Sequence, residues 1–77
     1  MKDFDINAVV EKDLETGLYL GFVPNIPGAH TQAETLEELR ENLIEVCTLC
    51  LEENPQYQNL VFPEFVGFQK LHLSLHA

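Results

Sequence analysis

The chain has 77 residues, with thirteen acidic and four basic side chains and a formal net charge of −9. That length holds one domain, residues 1–77, and no two-domain enzyme. Four Lys and Arg against thirteen carboxylates supply no stripe of positive charge for phosphate recognition, so nucleic acid is not expected as a direct ligand.

The first predicted element is a strand. From Phe4 to Glu11 the residues alternate, with Phe4, Ile6, Ala8 and Val10 on one face and Asp5, Asn7, Val9 and Glu11 on the other. The polar stretch 12–17, ending in Gly17, leads to a second β-rich run, Leu18 to Val23, so the pair is expected as an antiparallel hairpin. Pro24-Asn25-Ile26-Pro27-Gly28 ends the ladder, because proline has no N–H to donate and restricts the residue before it. Residues 29–34 are short and are expected to return as a third strand. Thr35 to Glu53 then reads as a helix. Thr35 with Glu38 forms a capping box, and Glu37 and Glu38 suit the positive end of the helix dipole. Leu36, Leu39, Leu43, Val46, Cys47, Cys50 and Leu51 make one apolar stripe. Glu37, Glu41, Glu45 and Glu52 make the opposite face, and the repulsion of Glu37 with Glu41 and of Glu41 with Glu45, four residues apart, is tolerated. Asn54-Pro55 stops the helix.

After a Pro- and Gln-containing connection, Phe65 to Leu75 is expected as a final strand, with Leu71, Leu73 and Leu75 on one face and Lys70, His72, Ser74 and His76 on the other. Carried backwards, the same alternation puts Val66 and Phe68 on the polar face and Gln69 on the apolar one. Either a bulge near Gly67 shifts the register, or Val66 and Phe68 fill an apolar patch on the outer face. The order β-β-β-α-β defines an α+β domain in which one helix covers one face of an antiparallel sheet. The uncovered face is expected to carry Val9, Tyr19, Val23 and Phe68.

No group of residues amounts to an active site, and no enzyme is expected. Cys47-Thr48-Leu49-Cys50 has redox spacing but lies deep in the helix on its apolar stripe, where small core filling is the reading. His72 and His76 are about 13 Å apart at strand rise and cannot share one ion. Asp3, Asp5, Glu11, Asp13 and Glu15 read as a solvated face rather than a metal site, and His30 as a loop-ordering or interface residue. No cofactor or metal is called for. No apolar run approaches the ~20 residues that span a bilayer, and Met1 to Asp5 lacks the apolar core of a signal peptide, so a cytoplasmic protein is expected.

Glu15-Thr16-Gly17-Leu18-Tyr19, then Val23-Pro24-Asn25-Ile26-Pro27-Gly28-Ala29-His30-Thr31-Gln32, then Glu34-Thr35-Leu36-Glu37-Glu38-Leu39 with Asn42-Leu43, resemble a HicB-type antitoxin from about residue 5 to residue 53. The resemblance implies a partial RNase H-like fold without the nuclease site, and the role of a stoichiometric inhibitor of HicA, a small basic toxin that cleaves messenger RNA. It also implies a homodimer or homotetramer. Ala33 stands where the family often has Gly, and a C-terminal DNA-binding domain, common in the family, has no room before Ala77. The expected partner-binding residues are Glu37, Glu41 and Glu45 on the helix and Pro27 and His30 at the loop. The alternative is a stand-alone homo-oligomeric domain of the same fold with no toxin.

Overall fold

The computed structural model describes residues 3–59, 61 and 63–76. Three strands, β1 (Val9–Lys12), β2 (Tyr19–Phe22) and β3 (His30–Ala33), form an antiparallel sheet in the order β1-β2-β3. Helix α1 (Leu36–Glu53) follows, and then a short 3-10 helix, Pro55–Asn59. The α+β class is thereby shown, including the short third strand.

The hairpin turn orders itself through side chains that mimic backbone partners: the Glu15 N–H donates to Asp13 Oδ1 at 2.9 Å and the Leu18 N–H to Thr16 Oγ1 at 3.2 Å. The Pro-containing loop is held as firmly. The Val23 N–H donates to the Ala29 carbonyl at 2.9 Å and the Ala29 N–H to the Ile26 carbonyl at 3.1 Å, which turns the Ile26 side chain inward to 1% exposure.

The register decides the faces of the sheet. Val10 pairs with Gly21, and Gly21 pairs with Thr31. A Cβ on Gly21 would lie 2.8 Å from Leu43 Cδ1, so this row faces the helix. Because side chains alternate, Tyr19 and Val23 share that face, and Val9, Leu20, Phe22, His30 and Gln32 point to the other. This corrects the expectation that Tyr19 and Val23 lie on the uncovered face. Leu18 to Val23 is apolar on both phases, so only the close approach at Gly21 selects the phase.

Helix α1 begins as expected, with the Thr35 hydroxyl accepting from the Glu38 N–H at 3.1 Å. It ends at Asn54, whose backbone N–H and side-chain amide both donate to the Cys50 carbonyl at 3.0 Å. Two small apolar clusters hold the helix on the sheet. Leu39 and Leu43 pack with Ala33, Tyr19 and Val46, while Leu51 packs with Val23, Ile26 and Ala29. The helix lies over β3 and β2 and does not reach β1.

The expected final strand differs. Among the described residues no fourth strand joins the sheet, and the leucines at 71, 73 and 75 are 73%, 77% and 94% exposed. Strand geometry is stable only beside another backbone, and among the described residues neither edge of the sheet, β1 or β3, has a strand on its outer side. With no strand there, no register exists at Gly67 to shift; Gly67 has φ +154°, a conformation that side-chain-bearing residues rarely adopt, between Phe65 and Phe68, whose rings meet edge to face at 5.5 Å.

The tight seat of α1 is testable. Gly21→Ala should destabilise the domain by about 1–3 kcal/mol through overpacking, and Leu43→Ala by about 2–5 kcal/mol through a cavity. The double variant should lose clearly less than the sum, because each change relieves the other. Urea midpoints of the four proteins measure this; strict additivity would mean that the two sites do not touch.

Candidate partner-binding surface

Helical periodicity places Glu37, Glu41, Glu45 and Glu52 on one ridge, opposite the buried Leu39, Leu43 and Leu51. All four are exposed, as are Glu38 and Glu53 beside them. Arg40, the helix's one basic residue, lies on the flank that turns toward the start of the chain, beside Ile6 and Val10. The ridge is a row of anionic groups on a rigid element, pointing away from the sheet. It can attract and orient a cationic surface, and it has no means of chemistry.

Pro27 and His30 do not join this ridge. His30 pairs with Phe22 on the uncovered face of the sheet, in a shallow groove with Glu11, Leu20 and Gln32. Pro27 is exposed in the loop whose Ile26 packs against Leu51. The five expected contact residues therefore fall on three surfaces, and no single flat partner touches Glu41 and His30 together. Leu20 and Phe22, which the sequence reading did not single out, join Val9 on the His30 side. A second apolar surface was also missed. Val10, Leu36 and Ile44, all exposed large hydrophobics, line a groove between β1 and the β1-side flank of the helix. Its signal was Ile44, an apolar residue out of phase with the buried stripe.

Comparison with known proteins places the chain. No family model matches it, and no solved structure matches it. A UPF0150 protein of Thermotoga maritima is 44% identical over 66 residues, covering 86% of this chain and 85% of that protein. This chain belongs to the UPF0150 family. A UPF0150 protein of Synechocystis is 38% identical over 71 residues, covering 92% of this chain and 97% of that one. Another, of Archaeoglobus fulgidus, is 46% identical over 61 residues, covering 79% and 83%.

Among the described residues of this UPF0150 protein, no three His, Cys, Asp or Glu side chains gather to hold a metal ion, and no helix is long and apolar enough to cross a membrane. Cys47 and Cys50 are free thiols, half-buried against the cluster of Val23, Ile26, Ala29 and Leu51. Burial, and then the neighbouring Cys50, push the Cys47 thiol above its ordinary value. A raised value is the reverse of redox activation and agrees with a packing role.

The sign of the consequence is set by linkage. With its value raised in the folded state, the Cys47 proton favours folding at neutral pH, and that contribution is lost as pH rises through about 9 and above, where the unfolded chain ionises first. Cys47→Ala should therefore flatten the alkaline fall of stability, read as the difference in urea midpoint between neutral and alkaline buffer. Parallel slopes for the two proteins would show that Cys47 is not the group responsible.

Proposed function

We propose that this UPF0150 protein is a cytoplasmic, non-catalytic, antitoxin-like binding module that neutralises a basic HicA-type toxin by direct contact. The observation that supports this reading is the ridge of Glu37, Glu41, Glu45 and Glu52, held exposed on one well-capped helix. Glu37 with Glu41, and Glu41 with Glu45, repel by a few tenths of a kcal/mol per pair. A basic partner converts that cost into attraction. An RNA-cleaving enzyme needs a cationic surface to hold its substrate, and an anionic ridge seated on that surface excludes the phosphates. Such charges act mainly on encounter rate and orientation, while apolar contacts set residence time. On the uncovered face, His30 with Phe22 offers a contact of the second kind, and Pro27 lies on the loop between. The HicB-like resemblance of residues 5–53 points the same way.

The alternative reading, a stand-alone homo-oligomeric domain with no toxin, draws on a different observation: the row of exposed apolar residues from Phe65 to Leu75. Co-expression with the product of the adjacent reading frame separates the two. A stable complex that restores growth and blocks RNA cleavage is expected for the antitoxin; no complex and no rescue would leave the alternative. Within the complex, Glu37→Lys, Glu41→Lys and Glu45→Lys combined should preserve the circular dichroism spectrum. At low salt the triple change should slow association at least about tenfold, with the difference shrinking as salt rises. An unchanged association rate would move the interface off the ridge.

A further inference from the structure

We propose that residues 69–75 form an exchanged strand: the arm of one chain lies along β1 of a second copy, in the groove between β1 and α1, and the second copy's arm does the same in return.

The arm has the pattern of a strand and no sheet to join. Leu71, Leu73 and Leu75 alternate with Lys70, His72 and Ser74, and the Ser74 hydroxyl meets His72 Nε2 at 3.5 Å, which places these two on one side. Its root, residues 63–67, lies beside Ile6 to Val9 and Val23 to Asn25 of its own domain. Beyond Gly67 the chain leaves that surface. The protein is accordingly extended, 53 × 29 × 19 Å with a radius of gyration of 15.2 Å, against about 11.5 Å for a compact domain of this length. Three leucines in water on an isolated strand are an open liability for a small domain.

The receiving surface has the complementary shape. β1 and β3 are the two edges of the sheet, and α1 covers β2 and β3 but leaves β1 uncovered. A groove of 550 Å³ lies between α1 and the segment that leads into β1, lined by Phe4, Ile6, Ala8 and, from β1 itself, Val10 on one side and by Leu36, Arg40 and Ile44 on the helix side. Asp5 and Asn7, of the opposite phase, line it too, so the groove follows the segment just before β1 and meets the strand at Val10. A strand laid there with its leucines toward the helix fills the groove and gives the β1 edge a ladder partner.

Charge selects the same pairing. All thirteen acids lie at or before residue 64, whereas residues 65–77 contain Lys70, His72 and His76 and no acid. With the leucines turned to the helix, these basic groups share the outer face with Glu11 of β1 and with Asp5 in the segment before it, as opposite-sign neighbours. Two arms and two grooves related by a two-fold axis close the assembly, leaving no arm unpaired.

Light scattering coupled to gel filtration reads the mass directly. The unmodified chain should run at twice 8.8 kDa. Leu71→Asp with Leu73→Asp in the arm, and separately Ile44→Asp in the groove, should each lower the mass twofold while keeping the helical circular dichroism signal. Ile44 is exposed in the single chain, so its change spares the core. Exchange is distinguished from a strand folded back on its own domain by linking Asn7→Cys to Ser74→Cys with a short bismaleimide, in a Cys47→Ala, Cys50→Ala background. A covalently linked dimer on a denaturing gel is the expected product. A linked monomer, or an unmodified chain that is monomeric at every concentration loaded, overturns the proposal, and so does a dimer indifferent to both Asp substitutions. None of these outcomes depends on whether a toxin binds the acidic ridge.

Discussion

Leu43 on α1 seats directly over the bare backbone of Gly21 in β2, where an added methyl would lie 2.8 Å from Leu43 Cδ1. A helix that seats this tightly over the middle strand is fixed in height and position. Its neighbours then follow: Ala33 and Tyr19 pack against Leu39 and Leu43 on one side, and Val23, Ile26 and Ala29 against Leu51 on the other. A core of so few buried side chains tolerates little misfit, because interiors are close-packed and each lost methylene is felt.

That seat has a geometric consequence. Centred on β2 and β3, the helix leaves the helix-facing side of β1 half-covered, so Val10, Leu36 and Ile44 border an open groove beside a free strand edge. The same seat turns the glutamates of α1 outward, away from the sheet. One placement of one helix thus produces both an anionic ridge on one side and an apolar trough on another. The chain separates its chemistry accordingly. Acidic groups belong to the body, and the acid-free tail after residue 64 carries leucine, lysine and histidine.

Much of this was legible in the residues. The alternation Phe4, Ile6, Ala8, Val10 showed its helix-facing side without help, because polar residues occupy the other phase. The limits of α1 were legible at Thr35 and at Asn54-Pro55, where capping and the loss of a donor leave few choices. The row Glu37, Glu41, Glu45 was readable as one face because helical period is rigid. Strand β2 was not legible in the same way: Leu18 to Val23 is apolar in both phases, and its orientation rests on which residue can pass beneath Leu43. The grouping of Pro27 and His30 with the glutamates failed for a related reason. A loop residue and a strand residue acquire a side only when the sheet acquires a covered face.

Local chemistry therefore determined the elements themselves: three strands, a turn ordered by Asp13 and Thr16, a capped amphipathic helix, and a tail with strand alternation. Those features depend on neighbours within a few positions along the chain, which sequence contains in full. Tertiary structure decided what faces what, from the phase of β2 to the separation of His30 from the acidic ridge. It also decided that the tail's leucines, patterned for burial, find no place in the sheet described for their own chain. Burial is a relation between distant segments, and its geometry is set by where one leucine meets one glycine.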